Sequence, residues 1–147
     1  MSRLTDFLSG EGVDAAGRSH AQVLALDDAA LESRHDFIQW LFPLPEPSAA
    51  VPGSPVLTRA DTADLQADAQ AQERLRRAAN RMLRFYQNTA HWRAPVDHNH
   101  LRITRIIRSL RLLAGDAPAD AFRAQILRLL GEPPPISRRT LDYWLAA

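Results

Sequence analysis

The sequence predicts an all-α fold, a single compact domain of six to eight helices over residues 1–147. Apolar residues recur at helical spacing, and no segment shows the sustained apolar–polar alternation of a half-buried strand. Gly and Pro fall between the periodic segments and indicate where helices end. A chain of 147 residues is also long enough for one hydrophobic core and short for two ordinary ones.

The first part of the chain predicts three helices. The first covers residues 2–9, and a second, capped by Asp14, reaches about Leu26. A third, over residues 29–42, is stopped by Pro43. Its apolar residues sweep about 200° of the surface at about 100° per residue. Since a one-sided surface helix needs little more than about 100°, we expect this helix to be central or to touch a partner.

The middle of the chain combines a proline-rich loop with two helices. Residues 43–57 contain five prolines and predict an extended, stiff crossing loop. Residues 58–69 predict a short helix with a break near Asp68. Residues 69–86 predict a stronger helix, with an apolar face on one side and clustered arginines on the other.

The last part predicts a loop and three helices. The loop covers residues 88–98, and Asn99 caps a helix through Leu113 whose apolar stripe lies within about 120°. The next helix begins near Asp116 and Pro118, and Gly131 ends it. Ser137 caps the last one.

Charge is strongly segregated although the formal net charge is +1. All 18 basic residues are arginine; residues 1–73 hold four of them against 12 acids, whereas residues 74–111 hold 10 against Asp97 alone. The arginine-rich helices, 74–84 and 102–111, could bind nucleic acid or another anion. The alternative is that these arginines form the solvated faces of their helices and pair with acidic residues from the first half of the chain. The sequence pI of about 8.4 favours the alternative, because nucleic-acid-binding domains commonly exceed about 9.

Composition excludes several classes of protein. The chain has no cysteine, which removes disulfides, thiolate metal sites and cysteine nucleophiles. It has no apolar run of membrane-spanning length and no signal-like start. We therefore expect a cytoplasmic protein without membrane insertion, and no cofactor is implied.

Two polar clusters invite a chemical interpretation. Asp97, His98 and His100 could ligate zinc, but no second ligand cluster accompanies them, so we predict no metal site. The same segment could instead bind an anion at the start of its helix, helped by Arg102. In the other cluster, His35 and Asp36 are adjacent in sequence.

Adjacent residues of a helix point about 100° apart, so His35 and Asp36 do not form a side-chain dyad. No serine or threonine stands in a recognisable nucleophile motif. We therefore predict no catalytic residues and no enzyme activity. An unrecognised enzyme is kept as an alternative.

Three stretches together resemble the conserved region of the opioid growth factor receptor family. Residues 35–48 read HDFIQWLFPLPEPS, residues 82–86 read MLRFY, and residues 99–110 read NHLRITRIIRSL. The family pattern is similar to these elements in the same order: H-D-[YF]-I-Q-W-L-F-P, then L-x-F-Y, then H-N-x-L-R-I-T-R-I-L-x-S-L. The resemblance covers essentially the whole chain, 1–147.

The resemblance implies a non-enzymatic binding domain. The family's animal namesake is a receptor for an enkephalin-type peptide, and short versions of the domain occur in bacteria. Because arginine-only, alanine-rich usage fits a GC-rich genome, we expect a short, stand-alone bacterial domain. The family pattern contains both Asp36 and the later arginines, so we predict that Asp36 contacts Arg102 or Arg105.

The family motifs define the predicted ligand site. It is a pocket between the helix that contains the first motif and the start of the helix that contains the last motif. The residues expected to line it are His35, Asp36, Gln39, Trp40, His98, Asn99, Arg102 and Arg105. Its mixture of aromatic and arginine side chains suits an unidentified peptide or anionic ligand. Leu101 and Leu112 fall on the arginine side of their helix and could cover either a neighbouring segment, such as the proline-rich loop, or a second subunit. A homodimer is therefore a further expectation, and nucleic acid is the alternative partner.

Overall fold

The computed structural model describes residues 2–147, and over these residues the fold is all-α, as the sequence predicts. Nine helices are present from Ser2 onward, together with one isolated β-bridge between Val13 and Ser19. No helix among the described residues is long and apolar enough to cross a membrane. The backbone divides into two compact units, the first ending at Ala78 and the second covering Ala79–Ala147.

The first unit contains short helices with well-defined starts. In chain order they are α1 (Arg3–Ser9), α2 (His20–Leu24), α3 (Asp28–Ser33), α4 (Ile38–Leu41), α5 (Arg59–Ala67) and the first half of α6 (Ala69–Asn88). Side chains of Ser2, Ser19, Asp27 and Thr58 accept hydrogen bonds from the first turns of α1, α2, α3 and α5. Helix α1 packs against α4 and α5.

The predicted continuous helix over residues 29–42 is wrong. Helix α3 ends at Ser33, where Arg34 adopts an extended conformation, and α4 begins only at Ile38. The break lets Phe37, Ile38 and the other apolar residues up to Leu44 turn inward, although no single helix face could bury them all. The wide angular spread of apolar residues over 29–42 therefore reflects a buried irregular segment and not a single helix.

Two further predictions for the first unit are corrected. Asp14 does not cap α2; its carboxylate accepts backbone hydrogen bonds from Ala16 and Arg18, each at 2.9 Å, and so closes a turn. Ser19 caps the helix instead. The loop over residues 43–57 contains no helix, as predicted, but it does not cross the molecule: the Leu57 N–H donates to the Leu44 carbonyl at 2.9 Å and joins the loop's two ends.

The second unit is built around α7 (Asn99–Leu113), which packs against both α8 (Asp116–Leu130) and α9 (Arg138–Ala146). The predicted apolar stripe is confirmed: Ile103, Ile106, Ile107, Leu110 and Leu113 are all buried. Gly131 follows α8 with a φ of 77°, a conformation that favours glycine, so its predicted role as a stop is confirmed.

Candidate functional site

The start of α7 is held by Asp97. Its Oδ1 atom accepts a hydrogen bond from the Asn99 backbone N–H at 2.9 Å, and its carbonyl accepts from the His100 N–H at 3.0 Å. Asn99 is therefore the first residue of the helix and not its cap, which corrects the prediction. A carboxylate at this position accepts from a backbone N–H that has no acceptor within the helix, and its negative charge is favourable at the helix N-terminus.

The side chain of Asn99 is fully buried and is the centre of a hydrogen-bond network. Its amide nitrogen donates to Asp97 Oδ1 at 2.9 Å, and its Oδ1 atom accepts from the Tyr86 hydroxyl at 3.3 Å and from Arg102 Nη1 at 3.4 Å. Arg102 is itself only 6% exposed. The network therefore satisfies polar groups inside the second unit and ties the end of α6 to the start of α7.

His100 connects three segments of the second unit: α7, the loop before it, and α9. Its Nε2 atom lies 2.8 Å from the Trp92 carbonyl, and its Nδ1 atom lies 3.4 Å from Thr140 Oγ1 on α9. The Trp144 indole N–H donates to the His100 carbonyl at 3.1 Å, and the two rings meet edge to face with centroids 5.6 Å apart. This buried histidine thus positions α9 against α7.

A groove of about 840 Å³ lies beside this junction, with lining residues from α7, α9 and the segment that precedes α7. Its apolar lining includes three large side chains that are unusually accessible: Val96 is 83% exposed, Leu101 72% and Tyr143 49%. Its volume lies within the range of about 300–1,000 Å³ that is common for ligand sites. Exposed apolar side chains gathered at a concave surface indicate a place where another molecule binds.

Polar and cationic groups complete the groove. The lining includes the hydroxyls of Thr104, Ser137 and Thr140 and the guanidinium groups of Arg108 and Arg139. The Arg139 guanidinium donates to the Tyr143 hydroxyl at 3.3 Å and lies 5.7 Å from the centre of the same ring. This hydrogen bond raises the pKa of Arg139, so the cation persists at any physiological pH.

The eight predicted site residues divide evenly between the two units. His98 lines the groove, Asn99 and Arg102 belong to the buried network, and Arg105 lies partly exposed on α7. Of these four residues, Asn99 and Arg102 contact each other inside the second unit, whereas His98 lies at the surface of the groove.

The other four predicted site residues belong to the first unit. His35 and Asp36 are exposed in the break between α3 and α4, whereas Gln39 and Trp40 are buried on α4. Asp36 Oδ1 accepts a hydrogen bond from Arg18 at 2.9 Å, and Trp40 packs edge to face on Phe7. The predicted pocket that joins these residues to the α7 set, and the contact of Asp36 with Arg102 or Arg105, stay predictions.

Metal binding finds no support in the geometry. Across residues 2–147, no three His, Asp or Glu side chains are grouped closely enough to hold a metal ion. The two histidines of the predicted cluster have different surroundings. His100 is buried against Trp144, whereas His98 is 46% exposed with its Nδ1 atom 3.8 Å from Asp97.

Sequence reasoning missed most of the groove. It noted Leu101 as an apolar residue on the arginine face of its helix, but it assigned no role to Arg139 or Tyr143. These two residues stand four positions apart on α9 and therefore share a face, which was the available signal. That this face lies beside Leu101 depends on how α9 packs on α7, and the sequence does not specify this.

Comparison with known proteins identifies the family. The sequence pattern described as the opioid growth factor receptor (OGFr) conserved region matches residues 21–146. This chain belongs to the opioid growth factor receptor conserved-region family. The match begins inside α2 and includes the second unit up to residue 146, so the Asn99 network and every groove-lining residue except Ala147 lie within the family region.

Curated relatives agree with this membership. The opioid growth factor receptor of Homo sapiens is 34% identical over 145 aligned residues, covering 80% of this chain and 20% of that protein. The Mus musculus protein of the same name is 33% identical over 142 residues, with 80% and 22% covered. The chain thus spans about a fifth of the length of these relatives. No solved structure matches it.

Proposed function

We propose that this chain is a non-enzymatic binding domain that accepts a peptide segment of another molecule in the groove between α7 and α9. The observation that carries the proposal is the gathering of Val96, Leu101 and Tyr143, all largely exposed, along one concave surface. The mammalian relatives are named receptors, which is consistent with a binding role for the region that they share with this chain.

The polar groups of the groove support binding and not catalysis. His100 uses both ring nitrogens within the protein, on the Trp92 carbonyl and Thr140. The Thr104 hydroxyl donates to the His100 carbonyl at 3.1 Å, and the Ser137 hydroxyl accepts from the Thr140 N–H at 3.1 Å. Neither of these two contacts sets a general base beside the Thr104 or Ser137 hydroxyl, as activation of a nucleophile requires.

The arginine-rich helices give less support to nucleic-acid binding. Arg76 and Arg77 pair with Glu73, and Arg111 bonds to Asp116 at 2.9 Å and to Asp120 at 2.7 Å. Arginines already neutralised by protein acids would release fewer counterions from a phosphate backbone. A bacterial origin and a cytoplasmic location remain further parts of the proposal, and a homodimer through Leu101 and Leu112 is the alternative to peptide binding at Leu101.

Selection from a library of random dodecapeptides displayed on phage tests the proposed groove. Wild-type protein is compared with a Leu101→Ser/Tyr143→Ser variant, which removes two apolar anchors from the groove. The matched control is Leu112→Ser/Leu145→Ser, which changes exposed apolar residues of the same two helices outside the groove. We expect enrichment on wild type and control, and its loss on the groove variant. Equal enrichment on all three proteins, or none on wild type, would refute the proposal.

A further inference from the structure

The charge of the groove narrows the class of peptide that it fits. Helix α7 contains four arginines and no acidic residue, and Arg108 is the one that lines the groove. Helix α9 contributes Arg139. The lining holds a single side-chain carboxylate, that of Asp97, and this group is already committed to the Asn99 amide at 2.9 Å. The groove is therefore an apolar surface in a positive field.

The two arginines of the groove come from different helices. Arg139 is held by its hydrogen bond to the Tyr143 hydroxyl and lies over the ring of the same residue. Its charge therefore stays next to an exposed aromatic side chain. Arg108 comes from the other helix, so carboxylates on either side of an apolar anchor could approach one cation from each helix.

From this arrangement we infer that the groove selects acidic peptide segments in which Asp or Glu residues flank a large apolar or aromatic side chain. The inference rests on the proposed function and adds the chemistry of the ligand to it. The apolar side chain would pack on Leu101 and Tyr143, and the carboxylates would lie near Arg108 and Arg139. Apolar burial supplies affinity, while complementary charge supplies specificity and a faster association.

A nucleic acid fits these residues less well than an acidic peptide. Single-stranded nucleic acid requires a positive track along its backbone and aromatic faces for successive bases. Two exposed ring side chains line the groove, the imidazole of His98 and the phenol of Tyr143, and Arg139 already lies over the Tyr143 ring. The aliphatic side chains of Val96 and Leu101 offer contact area to an apolar side chain and no stacking surface to a base.

The same phage-displayed dodecapeptide library tests the inference with charge variants. Wild-type protein is compared with Arg108→Glu/Arg139→Glu. The matched control, Arg128→Glu/Arg138→Glu, makes the same change in net charge at exposed arginines outside the groove. We expect wild type and control to enrich acidic peptides that carry an aromatic or leucine residue, and the groove variant to enrich neutral or basic ones.

Fluorescence anisotropy on an enriched peptide gives the magnitude. We expect the groove charge variant to bind it about tenfold more weakly at low salt, a difference that shrinks as salt rises. Enrichment that needs Leu101 and Tyr143 but shows no excess of acidic residues would overturn this inference and leave the proposed function standing. Loss of all groove-dependent enrichment would refute both. Displacement of the peptide by a mixed-sequence single-stranded DNA at lower concentration would overturn the choice of a peptide.

Discussion

The Nε2 atom of His100 lies 2.8 Å from the carbonyl oxygen of Trp92. Because a carbonyl only accepts, this ring nitrogen carries the proton, and Nδ1 is left to accept from the Thr140 hydroxyl at 3.4 Å. Both residues of the Trp92–His100 pair are buried, and the bond crosses from the loop before α7 to the helix itself. The histidine that the sequence offered as a candidate zinc ligand is thus a structural link beside the groove.

Replacing His100 by Phe tests this link. Phe keeps an aromatic edge against Trp144 but leaves the Trp92 carbonyl without its ring donor, so we expect the free energy of unfolding to fall by about 1–3 kcal/mol. Urea unfolding followed by tryptophan fluorescence measures the change. His98→Phe, at a 46% exposed side chain, is the control and should change stability by less than about 0.5 kcal/mol. Equal losses in the two variants would contradict the assigned role.

The Asn99 network gives a second prediction. Asn99→Ala removes a hydrogen-bond partner of the buried Tyr86 hydroxyl and one of Arg102, so we expect a loss of about 2–3 kcal/mol in urea unfolding. Asn80→Ala, at an exposed position of α6, is the comparison and should be close to neutral. An Asn99→Ala variant as stable as wild type would mean that the network does not hold α6 and α7 together.

Arg18 allows a comparison between a buried and an exposed carboxylate. It contacts Asp14, whose side chain is fully buried, at 2.8 Å and Asp36, whose side chain is 52% exposed, at 2.9 Å. Asp14→Ala also removes two backbone hydrogen bonds of the turn, so it should cost about 2–3 kcal/mol. Asp36→Ala should cost less than about 1 kcal/mol, because an exposed pair is screened by water. Thermal unfolding of both variants decides whether this order holds.

His20 predicts a pH dependence of stability. Burial, assisted by the nearby positive charges of Arg74 and Arg77, lowers its pKa from 6.5 to about 4. The unfolded chain therefore binds a proton at this site more readily than the folded one, and stability is lost as the pH falls from about 6.5 towards 4. Between about pH 7 and pH 5 the loss from this residue should be about 2 kcal/mol.

A non-titrating variant isolates that contribution. Unfolding of His20→Gln should depend less on pH over the same interval, and the difference between the two curves should grow as the pH falls. Comparing the slopes removes the effect of carboxylates, which titrate in both proteins. Parallel curves for wild type and variant would show that His20 is not held neutral by its surroundings.

Local sequence patterns sufficed wherever a helix is long and has one clear apolar face. Helices α6, α7 and α8 were predicted almost to their ends, because a 3.6-residue period, and for α7 and α8 a flanking glycine, are properties of the chain itself. The family motifs likewise marked the segment from residue 99 as important. The same patterns failed over residues 29–42, where the apolar residues are buried from several directions and the helix breaks at Arg34.

The sequence by itself therefore determined the all-α class, the principal helices, the arginine-only basic half and the family. Only the tertiary structure decided that Asp14 binds Arg18, that Asn99 and His100 face inward, and that Leu101 and Tyr143 line one groove. The physical reason is the range of the interactions. Helical periodicity and capping act between neighbours in sequence, whereas the bond from His100 to Thr140 joins residues 40 positions apart, and packing alone brings these residues together.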